Sequence, residues 1–205
     1  MSDYAVIGRP GSYAKGVARR LEILDRAIEV FAERGAGGAS LRRIADAIGV
    51  SHAALLHYFD SREQMLVAVY EHAESKRATD PDASSDAVDL IVQAAMQNAD
   101  VPGLVELYTT LLAASLEAAG GSSRQFFTDR FDRVRDSLTE RLREDQRAGG
   151  IRSDVDAAEV AALIVAASDG LQVQWLLDPS VRLQATLQTF ARLLRPHECG
   201  CGDRG

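Results

Sequence analysis

The chain has 205 residues, of which 46% are apolar and 6% aromatic, and it carries a formal charge of −7. That length allows one large domain or two small ones, and that apolar share excludes a chain disordered throughout. No apolar run approaches the ~20 residues of a membrane span, the N-terminus lacks the apolar core of a secretory signal, and Cys199 and Cys201 lie too close together to staple a secreted fold, so a cytoplasmic protein is expected.

Ala, Leu and Arg are abundant and β-branched residues do not dominate, which favours an all-α fold. Residues 1–15 contain Gly8, Pro10 and Gly11 without periodicity and are expected to form a flexible arm. The acidity lies elsewhere: residues 81–205 hold 12 Arg against 19 Asp or Glu, whereas residues 1–80 balance at 11 each. Arg9, Lys15, Arg19 and Arg20 form a basic run with no acid between Val6 and Leu21, suited to phosphate contact or to solvation alone.

A first helix should begin near Lys15–Arg19, with Leu21, Leu24, Ile28 and Phe31 on its apolar face, and end at Gly35. Ser40 can cap a short helix from Leu41 to Ile48, broken by Gly49. Ser51 caps a third, running to about Phe59. Ser61 with Gln64 has the form of a capping box for a fourth, whose apolar side is Met65, Leu66, Val69 and Tyr70. Further helices are expected at 86–98, 103–119, 123–148, 156–177 and 181–194, about nine in all, with no strand pattern.

The segment from Leu41 to Phe59 has the requirements of a helix-turn-helix. Ala45 is small where two helices must touch, and Gly49 accepts the left-handed turn. Ile44, Ile48, Val50, Leu55 and Tyr58 can lock the pair. His52, Ala53, Ala54 and His57 leave the second helix polar or small on the side that would enter a major groove.

Three stretches together, AIEVFAERG (Ala27–Gly35), SLRRIADAIGV (Ser40–Val50) and SHAALLHYFDSREQML (Ser51–Leu66), resemble the DNA-binding domain of TetR-family repressors. The resemblance implies a dimeric repressor on a palindromic double-stranded operator. It implies phosphate contacts from Ser40 and Ser51, backbone contacts from Arg42 and Arg43, base edges faced by His52, Ala53 and His57, and a phosphate for the Tyr58 hydroxyl. The pattern departs at Asp60, where an acid repels phosphate; a capping role for the fourth helix is expected there instead.

Residues 156–177 are apolar nearly all round and must be covered on two sides, by the domain's own core alone or by a partner as well. The resemblance implies that helices near 156–177 and 181–194 form a four-helix homodimer interface. Met96, Leu104, Tyr108, Phe127 and Phe131 line either an ordinary core or a pocket for a small-molecule effector whose identity the sequence does not give.

The expected organisation is an arm (1–15), a DNA-binding domain with its connecting helix (16–79), a ligand-sensing and dimerisation domain (80–195) and a tail (196–205). No nucleophile motif, phosphate loop or carboxylate pair points to an enzyme, and no cofactor or metal is expected. His52 and His57 lie roughly 140° apart on a helix and do not converge on a metal. The reading is a regulator released from DNA by a ligand; the alternative is a ligand-independent DNA-binding regulator or architectural protein.

Overall fold

The computed structural model describes residues 10–34, 41–77, 86–117 and 122–196. These residues form ten helical segments and no strand: α1 (Pro10–Arg34), α2 (Leu41–Ile48), α3 (His52–Tyr58), α4 (Arg62–Arg77), α5 (Ala87–Asp100), α6 (Leu104–Glu117), α7 (Ser122–Arg147), α8 (Ala157–Leu177), α9 (Leu183–Leu187) and α10 (Thr189–Leu193). By contact the chain divides into two units, residues 1–78 with 102–114, and residues 79–101 with 115–205. Most of α6 therefore groups with the first unit.

In the first unit α1 packs on α2 and α4, and α2 on α3. The buried stripe of α1 is Ile23, Leu24, Ala27 and Phe31. The face expected from sequence was rotated from this one: Leu21 is 41% exposed, and Ile28 is only half-buried. The helix also begins at Pro10 rather than near Lys15. Proline suits a first helical position because the N–H it lacks would have no helical partner there. In α4 every residue from Met65 to Tyr70 is buried. The Tyr70 ring lies 5.4 Å from that of Tyr108 on α6.

In the second unit α7 packs on α8 and α5, and α8 on α5 and α9. Val88, Val92, Leu138, Leu142, Ala161 and Ile164 centre the core. Asp156 caps α8 by accepting from the N–H groups of Ala158 and Glu159. The Asp145 carboxylate on α7 accepts from the Ala87 N–H at the start of α5, and Gln146 donates to the Arg152 and Val155 carbonyls, which fixes the turn before α8. A polar contact crosses the apolar interior: Asn98 donates to Gln172 at 3.0 Å, and the Gln172 amide donates to the Ser168 carbonyl and hydroxyl.

Two expectations need correction here. The helix expected at 181–194 is interrupted at Gln188, whose N–H is shared between the Gln184 and Thr186 carbonyls. And α8 is long and apolar enough, by length and composition alone, to cross a membrane. Its contacts with α5, α7 and α9 account for the third of that apolar window that is buried.

Candidate nucleic-acid interface

The turn between α2 and α3 is made by Gly49 at φ +72°, the left-handed region that costs other residues. The Val50 N–H donates to the Ala45 carbonyl at 2.9 Å, closing the end of α2. Ala45 itself is fully buried beside Ile44 and Ile48, so the two helices meet where a larger side chain would not fit. Ser51 then caps α3: its hydroxyl accepts from the Ala54 N–H at 3.0 Å. Leu55 and Phe59 anchor the far side of α3 in the core.

What α3 leaves outside is an exposed arc. His52, Ala53, Leu56 and His57 are exposed, and at a helical period of 3.6 they span about 140° of the circumference. Tyr58 is half-buried, its ring edge-on to His57 at 5.1 Å. Arg42 and Arg43 are exposed on α2, and Ser51 is exposed at the start of α3. Ser40 lies outside the described residues. The sequence reading missed Leu56, 46% exposed between the two histidines. A leucine one place from the buried Leu55 gives no sign in composition that it faces outward.

Behind the arc, charges fix the helices that carry it. Arg20 of α1 stacks over the Phe59 ring, 5.0 Å from its centroid. Arg19 pairs with Glu22 at 2.6 Å, so its charge is partly spent within α1. The Asp25 carboxylate of α1 accepts from both Lys76 and His72 on α4. The hydrogen bond from the Lys76 ammonium holds the Asp25 carboxyl below its usual range against the opposing effect of burial, with further help from His72. At the head of α4, Ser61 accepts from the Gln64 N–H at 3.0 Å. The Gln64 side chain in turn accepts from the Asp60 N–H at 2.7 Å and donates to the Asp60 carboxylate at 3.4 Å. Asp60 thus acts in the cap.

The five residues expected to line a pocket are distributed over both units. Leu104 and Tyr108 belong to the first, where both are buried. Met96, Phe127 and Phe131 belong to the second. Phe127 is buried and edge-on to Phe126 at 5.1 Å, and Phe131 packs against the second unit's core. Met96 alone of the five lines an open cleft of about 380 Å³, with Asp100, Trp175 and residues 181–185. Among the described residues no group of three or more His, Cys, Asp or Glu side chains is placed to hold a metal ion. His197, Cys199 and Cys201 lie outside the described residues.

Comparison with known proteins adds two family matches. Residues 23–69 match the family described as bacterial regulatory proteins, tetR family, and residues 85–196 match the C-terminal part of BetI-type transcriptional repressors. The HTH-type transcriptional repressor KstR2 of Rhodococcus jostii is 50% identical over 48 residues, covering 23% of this chain and 24% of that protein. An HTH-type transcriptional repressor of Mycobacterium tuberculosis is 28% identical over 156 residues, 75% of this chain and 80% of that one. The fold is similar to a crystal structure of a transcriptional regulator from Saccharomonospora viridis in complex with choline: TM-score 0.67, 22% identity, 86% of this chain and 94% of that chain.

Proposed function

We propose that this chain, which belongs to the TetR family of bacterial regulatory proteins, represses transcription by binding a palindromic operator as a homodimer and is released by a small-molecule effector. The observation that carries the DNA reading is the α2–Gly49–α3 unit: a left-handed glycine turn, a capped seven-residue helix, and an exposed arc of His52, Ala53, Leu56 and His57. That arc is narrow enough for a major groove, and one side of α3 stays anchored by Leu55. Ser51, Arg42, Arg43 and Tyr58 flank it as phosphate partners, with Ser40 as a further one.

Support for pairing comes from α8. Leu163, Ala166, Gly170, Val173 and Leu177 are all exposed and recur at spacings of three and four, a continuous apolar stripe. Gly170 stands at its centre, in a helix interior where glycine costs about 1 kcal/mol against alanine. Among the described residues, and apart from the adjoining turns of its own helix, nothing comes within 4 Å of the Cβ that an alanine would add. Among the described residues the small side chain is required by no packing, but it would let a second α8 approach closely. Leu193, 63% exposed on α10, adds apolar surface from the final helices. Two recognition helices per dimer then supply the contact that one seven-residue helix lacks.

Release by a small molecule is supported by the choline bound in the Saccharomonospora neighbour. The effector must favour the state that does not bind DNA, since only differential affinity moves the equilibrium. The experiment is selection from a random duplex library with the full chain, followed by mobility shift of the enriched duplex. An enriched inverted repeat bound by two protomers supports the reading; no enrichment refutes it.

A further inference from the structure

The cleft of about 380 Å³ in the second unit combines three chemistries. Part of its lining is apolar: Met96, Val181 and Leu183. Trp175 of α8 supplies an aromatic face. Asp100, the last residue of α5, and Arg182, just before α9, place opposite full charges on its lining. Those two charges lie within one cleft yet make no ion pair with each other. Among the described residues neither side chain, nor the Trp175 indole N–H, has a hydrogen-bond or ion-pair partner. Elsewhere in the chain exposed charges close together do pair, as Arg152 does with Asp154 and Arg135 with Asp132.

A carboxylate and a guanidinium that line one largely apolar cleft without pairing match a ligand carrying both charges. A cation alone would meet Arg182, and an anion alone would meet Asp100, each with repulsion. The volume lies within the range of small-ligand sites. We infer that this cleft binds a zwitterionic α-amino acid with an apolar side chain. Its ammonium lies at Asp100, its carboxylate takes the Arg182 fork, and its side chain rests on Met96, Leu183 and the Trp175 face. The site's role as the effector site, but not its occupancy, rests on the ligand-released repressor proposed above.

The chain's single tryptophan is part of the cleft, so binding reports itself. The full-length protein is titrated with L-leucine, read by tryptophan emission and by calorimetry. The same titration uses L-leucinamide, which keeps only the positive charge, and N-acetyl-L-leucine, which keeps only the negative one. The expected result is a saturable emission change with L-leucine and binding about tenfold weaker, or less, for both analogues. Asp100→Asn and Arg182→Gln, both at exposed positions, each weaken L-leucine binding by about tenfold or more while the thermal transition stays put. Flat emission and calorimetric traces overturn the inference, as does L-leucine binding unchanged in both variants or leucinamide binding equal to leucine. A parallel mobility shift on a preformed protein–DNA complex separates the two claims. Saturable binding without DNA release keeps the site and refutes its role as effector site.

Discussion

Gly170 gives the pairing argument its sharpest test, because one substitution should move two quantities in opposite directions. Replacing it with alanine adds a methyl that, among the described residues beyond its own helical turns, meets nothing within 4 Å. The isolated chain should therefore gain helix propensity, about 1 kcal/mol, which for a chain of this size raises the melting temperature by about 2–4 °C. If a second α8 crosses at Gly170, the same methyl enters a close helix–helix contact, where overpacking costs about 1–3 kcal/mol. The dimer dissociation constant should then rise by about 5- to 150-fold. Sedimentation velocity over a dilution series measures the second effect, and thermal melting at concentrations where monomer dominates measures the first. Leu163→Glu is the companion variant. The side chain is 63% exposed in the single chain, so folding should change little, whereas a charge buried in the interface should leave only monomer. A Gly170→Ala protein that is more stable and dimerises as tightly as wild type would refute the reasoning, as would a monomeric wild type at micromolar concentration.

Gly49→Ala has open space for its methyl but must hold φ near +72°, so it should cost about 1–2 kcal/mol of stability and weaken DNA binding, measured by denaturant melts and mobility shift. Leu56→Ala, at an exposed position, should leave melting unchanged but lower operator affinity by about 1 kcal/mol; unchanged affinity would remove Leu56 from the interface. Asp25 is an acid with a lowered folded-state pKa, so its contribution is present above the unfolded value near 3.8 and lost as pH falls through the folded one. Its side chain is 41% exposed, so Asp25→Asn should cost only about 0.5 kcal/mol near neutral pH, with the difference from wild type closing in acid below the unfolded value. A difference that persisted in strong acid would assign the effect to something other than the carboxylate.

The sequence was most readable where local chemistry decides the structure. Ser51, Gly49, Ser61 with Gln64, and Asp156 each mark a helix boundary through a side chain or backbone conformation a few residues away, and α2, α3, α4 and α8 begin or end at those marks. It was least readable where tertiary packing decides. The phase of α1 shifted from Leu21 to Ile23 because α2 and α4 select the buried face, and both stripes satisfy helical spacing. Leu56 and Leu55 are the same residue type with opposite fates. Ala167 and Leu163 sit on one apolar helix, yet Leu163 is exposed and Ala167 is half-buried against the second unit's core. The Asn98–Gln172 bond joins residues on different helices, and no local pattern announces it. The cleft was signalled only by Met96, because Asp100, Trp175 and Arg182 come together through the fold.

The central claim, that the α3 arc reads DNA sequence, is tested most directly by competitive titration. The full chain is bound to a library-selected duplex and challenged with a duplex of the same length and composition but scrambled half-sites, at physiological salt. The account predicts a preference of at least about a thousandfold for the selected duplex, two protomers per duplex, and a loss of about 1–3 kcal/mol of that preference in His57→Ala. Equal affinity for both duplexes, varying only with salt, would contradict it.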